Sequence, residues 1–136
     1  MCSSDLAGPN GCHDGDRLIL ELDESYGTFE KVIPYGLAVL NIDRDHLDHY
    51  GTYETLAAFF RGVMQRTEGP VVIWSDDVPA ATYEGLRVVT VGTTDRADYV
   101  VDRLELRPEG AVFQLRGPQM SVDISDRKST RLNSSH

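Results

Sequence analysis

Short apolar runs broken by one amphipathic stretch restrict this chain more than any other feature. Residues 17–22 read RLILEL, residues 36–42 GLAVLNI and residues 71–74 VVIW, each strand-length and rich in β-capable side chains. Between the second and third runs, residues 53–65 place Leu56, Phe59, Phe60 and Val63 on one helical face. Thr52 suits the N-cap, and Glu68, Gly69 and Pro70 end the helix before the third strand. Strand, helix, strand is the repeating unit of a parallel sheet. The first run is expected to be a buried strand. About a dozen residues separate it from the second, near the minimum for a crossover, with residues 27–33 available for a short helix, so parallel pairing of these two strands is open to the chain. Residues 76–85 suit another short helix and residues 87–91 a fourth strand.

From residue 97 the pattern changes. Residues 98–106, 111–116 and 120–124 read as strands separated by turns at Pro108-Glu109-Gly110 and Gly117-Pro118, an antiparallel meander. The expected fold class is α/β: a mostly parallel sheet with helices plus a C-terminal antiparallel β meander, in one domain without internal repeat or linker.

Composition matters mainly for what it excludes. A chain of 136 residues with 40% hydrophobic and 26% charged content has the make-up of one globular domain. Its net charge of -9, with no cluster of Lys and Arg outside residues 126–136, argues against nucleic acid as a partner. Cys2 and Cys12 alone build neither a disulfide framework nor a four-ligand zinc site, and a reducing cytoplasm fits them. No apolar run approaches the roughly 20 residues of a membrane helix, and residues 1–6 lack the regions of a signal peptide, so no membrane association is expected.

The two ends read differently from the rest. Codons can be chosen for residues 126–136, DRKSTRLNSSH, that resemble a sequencing-library adapter. Reading residues 1–6, MCSSDL, with GTG as the start codon gives the reverse complement of the opening codons of that tail. Residues 1–6 and 126–136 are therefore expected to be adapter-derived, with residues 7–125 carrying the information.

Chemistry-bearing residues gather after the first two strands: Glu21, Asp23, Glu24 and Ser25 after one, and Asp43, Asp45, His46, Asp48 and His49 after the other. Open α/β sheets bind ligands outside the carboxyl ends of their strands, so adjacent parallel strands would bring Glu21 and His46 to one rim. A carboxylate and a neutral imidazole can share a divalent ion, and Mg²⁺ usually takes one or two protein carboxylates, with waters and substrate phosphates completing its shell. On residue types alone, the commoner reading of such acidic runs is a solvated loop or helix N-terminus. Calcium is excluded, because Leu47 occupies a ligand position of the EF-hand pattern that Asp43 and Asp45 begin, and the required glycine is missing. His49 lies four residues after Asp45 and reads as its charged partner rather than as a second ligand.

ELDESYGTF at residues 21–29, followed by AVLNIDRDHLDHYG at residues 38–51, resembles the paired signatures of the Mur ligase central ATP-binding domain. The order, spacing and continuation into an aromatic-rich helix all match, over roughly residues 10–90. The DES-type first signature is most like the branch that joins L-alanine to UDP-N-acetylmuramate in peptidoglycan synthesis; another Mur-type ligase, or a non-catalytic acidic metal-binding module, is the alternative. The resemblance implies an ATP-dependent carbon-nitrogen ligase that activates a carboxylate as an acyl phosphate and forms an amide by amine attack. It implies that Glu21 and His46 are catalytic magnesium ligands and that Glu24 and Ser25 contact substrate. Leu22 and Tyr26 depart from the small and acidic residues expected at their positions. Lys31 is the only lysine before the tail, whereas several family members use a modified lysine after the histidine signature. No G-x-x-x-x-G-K-[ST] loop is present, and neither is the histidine-asparagine segment that would hold adenine. Both are expected outside this stretch, and the 136-residue chain is expected to be inactive alone.

Overall fold

The computed structural model describes residues 11–22, 28–44 and 50–128. The elements in chain order are β1 (Gly11–Asp14), β2 (Arg17–Leu20), a 3₁₀ turn (Thr28–Lys31), β3 (Leu37–Val39), α1 (Tyr53–Arg66), β4 (Val71–Trp74), α2 (Ala80–Tyr83), β5 (Val89–Gly92), β6 (Tyr99–Arg107), β7 (Gly110–Gly117) and β8 (Met120–Arg127). Strands β3 to β8 form one six-stranded sheet in sequence order. The pairs β3-β4, β4-β5 and β5-β6 are parallel, while β6-β7 and β7-β8 are antiparallel. This is the expected mostly parallel α/β sheet with its C-terminal meander.

Helix α1 forms where its apolar spacing placed it. The Thr52 side chain accepts a hydrogen bond from the backbone N–H of Thr55, satisfying one orphan donor of the first turn, and Glu54 and Arg66 complement the two ends of the helix dipole. Its buried Leu56, Phe60 and Met64 pack on one face of the sheet, against Val39, Val71 and Ile73, and Val63 is buried as well. Phe29, in the 3₁₀ turn, sets its ring against Phe59 and Phe60 at centroid distances of 6.3 and 6.0 Å. Arg66 donates to the carbonyls of Phe29 and Val32, tying that turn to the end of the helix.

The first strand departs from expectation. Residues 17–20 are exposed, not buried, and β2 pairs antiparallel with β1 in a separate two-stranded sheet rather than parallel with β3. The cause is local. Asp14 pairs with Arg17 across the two-residue loop Gly15-Asp16, and Gly15 holds φ +63 at its first position, as a type II′ hairpin turn requires. A two-residue closure needs far less chain ordering than a crossover, so the hairpin forms from β1 and β2 alone.

The β5-β6 connection is short for a parallel pair, only residues 93–98, where crossovers usually need about a dozen or more. Register explains it. Only Val91↔Tyr99 and Gly92↔Val100 pair, so β6 starts level with the end of β5 and the chain need not retrace a strand. Asp98 closes the corner: its carboxylate accepts from the Thr90 N–H at 2.9 Å and from the Thr90 hydroxyl at 3.0 Å. Strand β6 then continues past β5, so β6, β7 and β8 stand beyond the carboxyl ends of the parallel strands as a side wall. Strand β8 runs two residues past Ser125, with Asp126 and Arg127 paired to Ala111 and Gly110.

Candidate active-site rim

The carboxyl ends of β3, β4 and β5 lie side by side, and each is followed by polar residues. Asn41, Asp43 and Arg44 follow β3, Ser75, Asp76 and Asp77 follow β4, and Thr93, Thr94 and Arg96 follow β5. Two hollows open there. A broad one of about 880 Å³ is bounded by Ser75, Asp77, Tyr83, Thr94 and Arg96. A smaller one of about 300 Å³ lies between Asn41, Ile42, Asp43 and Asp77. This is where open α/β sheets place ligands.

Main-chain and side-chain bonds hold the rim in shape. The Ser75 N–H donates to the Val91 carbonyl at 2.8 Å, and Asp76 accepts from the N–H of Thr93 at 3.1 Å and from its hydroxyl, locking the β4 loop over the end of β5. Gly92 is needed beneath this crossing: a Cβ there would overlap the Ser75 hydroxyl and lie 2.6 Å from Asp76 Oδ1. On the β3 side, the Asp43 carboxylate accepts from the N–H of Arg44, whose guanidinium sits 5.2 Å from the Tyr53 ring centroid. Arg116 on β7 reaches Asp95 at 3.1 Å and Asp102 at 3.8 Å, fastening the side wall to the β5-β6 loop.

Of the residues expected to carry chemistry, Glu21 is described: it is exposed and directly follows β2, whose partner is β1. The parallel alignment that would bring Glu21 beside the β3 rim is absent among the described residues. Glu24, Ser25 and His46 lie outside the described residues, although Arg44 and Tyr50 bracket the histidine segment, with Tyr50 packed on the α1 core. Among the described residues, no three His, Cys, Asp or Glu side chains gather to hold a metal. Asp76, Asp77, Tyr83 and Arg96 were not singled out from the sequence. The one available signal was the position of Ser75-Asp76-Asp77 directly after VVIW, where a parallel strand ends.

A family model for the Mur ligase middle domain matches residues 12–127. The chain belongs to the Mur ligase middle-domain family. Among curated relatives, the UDP-N-acetylmuramate–L-alanine ligase of Caulobacter sp. (strain K31) is 34% identical over 117 residues, covering 82% of this chain and 25% of that protein. The protein of the same name from Desulforamulus reducens is 39% identical over 110 residues, covering 76% of this chain and 24% of its own length. The chain thus spans about a quarter of the length of these Mur ligase relatives. A crystal structure of MurF from Acinetobacter baumannii superposes with a TM-score of 0.60 at 18% identity, covering 83% of this chain and 27% of that one, a likeness of fold. No described helix of this Mur ligase middle domain is long and apolar enough to cross a membrane.

Proposed function

We propose that this chain is part of the central domain of an ATP-dependent ligase that joins L-alanine to UDP-N-acetylmuramate in peptidoglycan synthesis in the cytoplasm. The observation that carries the reading is the 34% identity over 117 residues to a relative of that name, beside the middle-domain match over residues 12–127, which spans both sequence signatures. In this reaction the substrate carboxylate takes the γ-phosphoryl group of ATP, and the amine of L-alanine displaces phosphate from the acyl carbon. ADP and phosphate leave, and an amide remains.

Glu21 and His46 are the residues assigned to Mg²⁺, with Glu24 and Ser25 near the sugar-linked substrate. Glu21 suits that role: its exposed carboxylate has no hydrogen-bond or ion-pair partner among the described residues, and Mg²⁺ usually takes few protein ligands. Bound there, the ion would neutralise phosphoryl charge. This chain's own contribution is positional. The β3-β4-β5 rim supplies the floor, the meander the side wall, and α1 fixes the exit from the histidine segment.

The test is to place residues 7–125 into the Caulobacter sp. (strain K31) ligase in place of its matching stretch. The expected result is phosphate release that depends on both UDP-N-acetylmuramate and L-alanine, with Glu21→Ala and His46→Ala each lowering kcat at least about a hundredfold. Full activity in both variants would remove the metal assignment. The branch assignment is tested by reading the gene on either side of this stretch: flanking sequence that matches a ligase for another amino acid would remove it. The 136-residue chain alone should release no phosphate.

A further inference from the structure

Each of the two signature segments runs into an aromatic ring, and both rings meet one side chain of α1. Phe29 is the last residue of the first segment, residues 21–29, and Tyr50 the last but one of the second, residues 38–51. The Phe29 ring meets Phe59 edge to face with centroids 6.3 Å apart, and the Tyr50 ring meets the same Phe59 at 5.3 Å. Phe59 is half-buried beside the residues that seat α1 on the sheet, Leu56, Phe60 and Met64. Phe60 backs the arrangement, its centroid 6.0 Å from Phe29 and 5.9 Å from Phe59. Arg66 adds a second hold on the first segment. It stands seven positions after Phe59, about two turns on, and so on the same side of α1. Its guanidinium donates to the Phe29 carbonyl and, at 3.2 Å, to the Val32 carbonyl. The Phe29 carbonyl also accepts from the Val32 N–H at 3.2 Å, so Arg66 clamps a turn that is already closed.

We propose that Phe59 is a positioning residue: its ring fixes the end of the first signature segment relative to the end of the second. Ser25 stands four positions before Phe29, and His46 four before Tyr50. Both lie outside the described residues, but a four-residue chain reaches no more than about 14 Å, so the docking of each ring limits where those side chains can stand. Arg66 restrains the first segment alone. The ring contacts do not depend on the ligase reading. Their effect on catalysis rests on it, since there one segment bears substrate contacts and the other a Mg²⁺ ligand.

The test has two parts. In the 136-residue chain, amide hydrogen exchange is followed at Val32, which donates to the Phe29 carbonyl, and at Thr52, which donates to the Tyr50 carbonyl. Phe59→Leu keeps apolar bulk but removes the ring. It should speed exchange at both amides about fivefold relative to Ile73 in β4, whereas Phe59→Tyr, which keeps the ring, should leave both within about twofold. Arg66→Met should speed Val32 and leave Thr52 unchanged. In the chimera with the Caulobacter sp. (strain K31) ligase, Phe59→Leu should lower kcat about tenfold and raise the Mg²⁺ concentration that gives half the maximal rate, and Phe59→Tyr should restore both. A merely structural role would cost active protein without moving the Mg²⁺ midpoint. Unchanged exchange at either Val32 or Thr52 in Phe59→Leu overturns the proposal, and so does a Mg²⁺ midpoint that stays in place in an active chimera. If the unsubstituted chimera shows no turnover, the ligase reading alone fails, and exchange at the two amides still decides whether Phe59 couples the segments.

Discussion

Replacing Leu56 with alanine tests the one-sided core most directly. Leu56 lies in the first turn of α1, fully buried in the cluster with Ile73 and Val39 that joins the helix to β3 and β4. Truncation removes the transfer free energy of the lost methyl groups and leaves a cavity bounded by α1 and the sheet. The cost for such sites is about 3–4 kcal/mol, a large share of the 5–15 kcal/mol by which domains are stable. Val72 provides the contrast, since it neighbours Ile73 in sequence but points to the face without a described helix. Val72→Ala should cost only about 1 kcal/mol, because its methyl groups are half-buried already.

Trp74 is the only tryptophan and belongs to β4, so its fluorescence reports on the strand that both substitutions touch. Urea unfolding should show a midpoint lowered by about 1.5–2 M for Leu56→Ala and by about 0.5 M for Val72→Ala. Equal shifts for the two variants would refute the reasoning. They would mean that both faces of the sheet are covered alike.

Two further outcomes follow from local geometry. Gly92→Ala should destabilise by about 1–3 kcal/mol in the same urea assay, because its Cβ meets the β4 loop where Asp76 holds Thr93; a neutral result would show that this loop is not seated on β5. On β6, a hydrogen bond from Arg107, reinforced by its charge, holds the Glu105 carboxyl below its ordinary value, and Glu105 raises Arg107 in return. A carboxyl depressed in the folded state contributes above its unfolded pKa, and that contribution fades as pH falls through the folded value. Both side chains are exposed, so the contribution is small and screened by salt. Arg107→Ala should move the NMR titration midpoint of Glu105 upward, and an unchanged midpoint would remove the pairing.

Much of the sheet was legible because its strands are continuous apolar runs, and such runs recur where a parallel strand is buried. VVIW at 71–74 is the observed β4 residue for residue, and the helix from Tyr53 ends one residue past its expected last position. The meander was legible for a different reason: Pro108-Glu109-Gly110 and Gly117-Pro118 are turn chemistry, and strands β6 to β8 meet at those places. RLILEL was misread because an apolar run carries no sign of which neighbour it will pair with. The deciding residues were Gly15 and Asp16, a hairpin turn immediately before it.

The candidate site was less legible because it depends on register, which a single strand does not encode. Asp76 and Thr93 lie 17 positions apart and meet only because Trp74 pairs with Val91, and Arg116 reaches Asp95 only because β7 doubles back along β6. The first contact joins the loop after β4 to the loop after β5, and the second joins that loop to a wall built by the meander. The wall in turn requires β6 to begin level with the end of β5, which the bonds between Asp98 and Thr90 secure. The same six-residue corner that looked too short for a parallel connection is therefore what projects the meander past the rim. A longer crossover would let β6 start beside the beginning of β5, and the rim would lose its side wall.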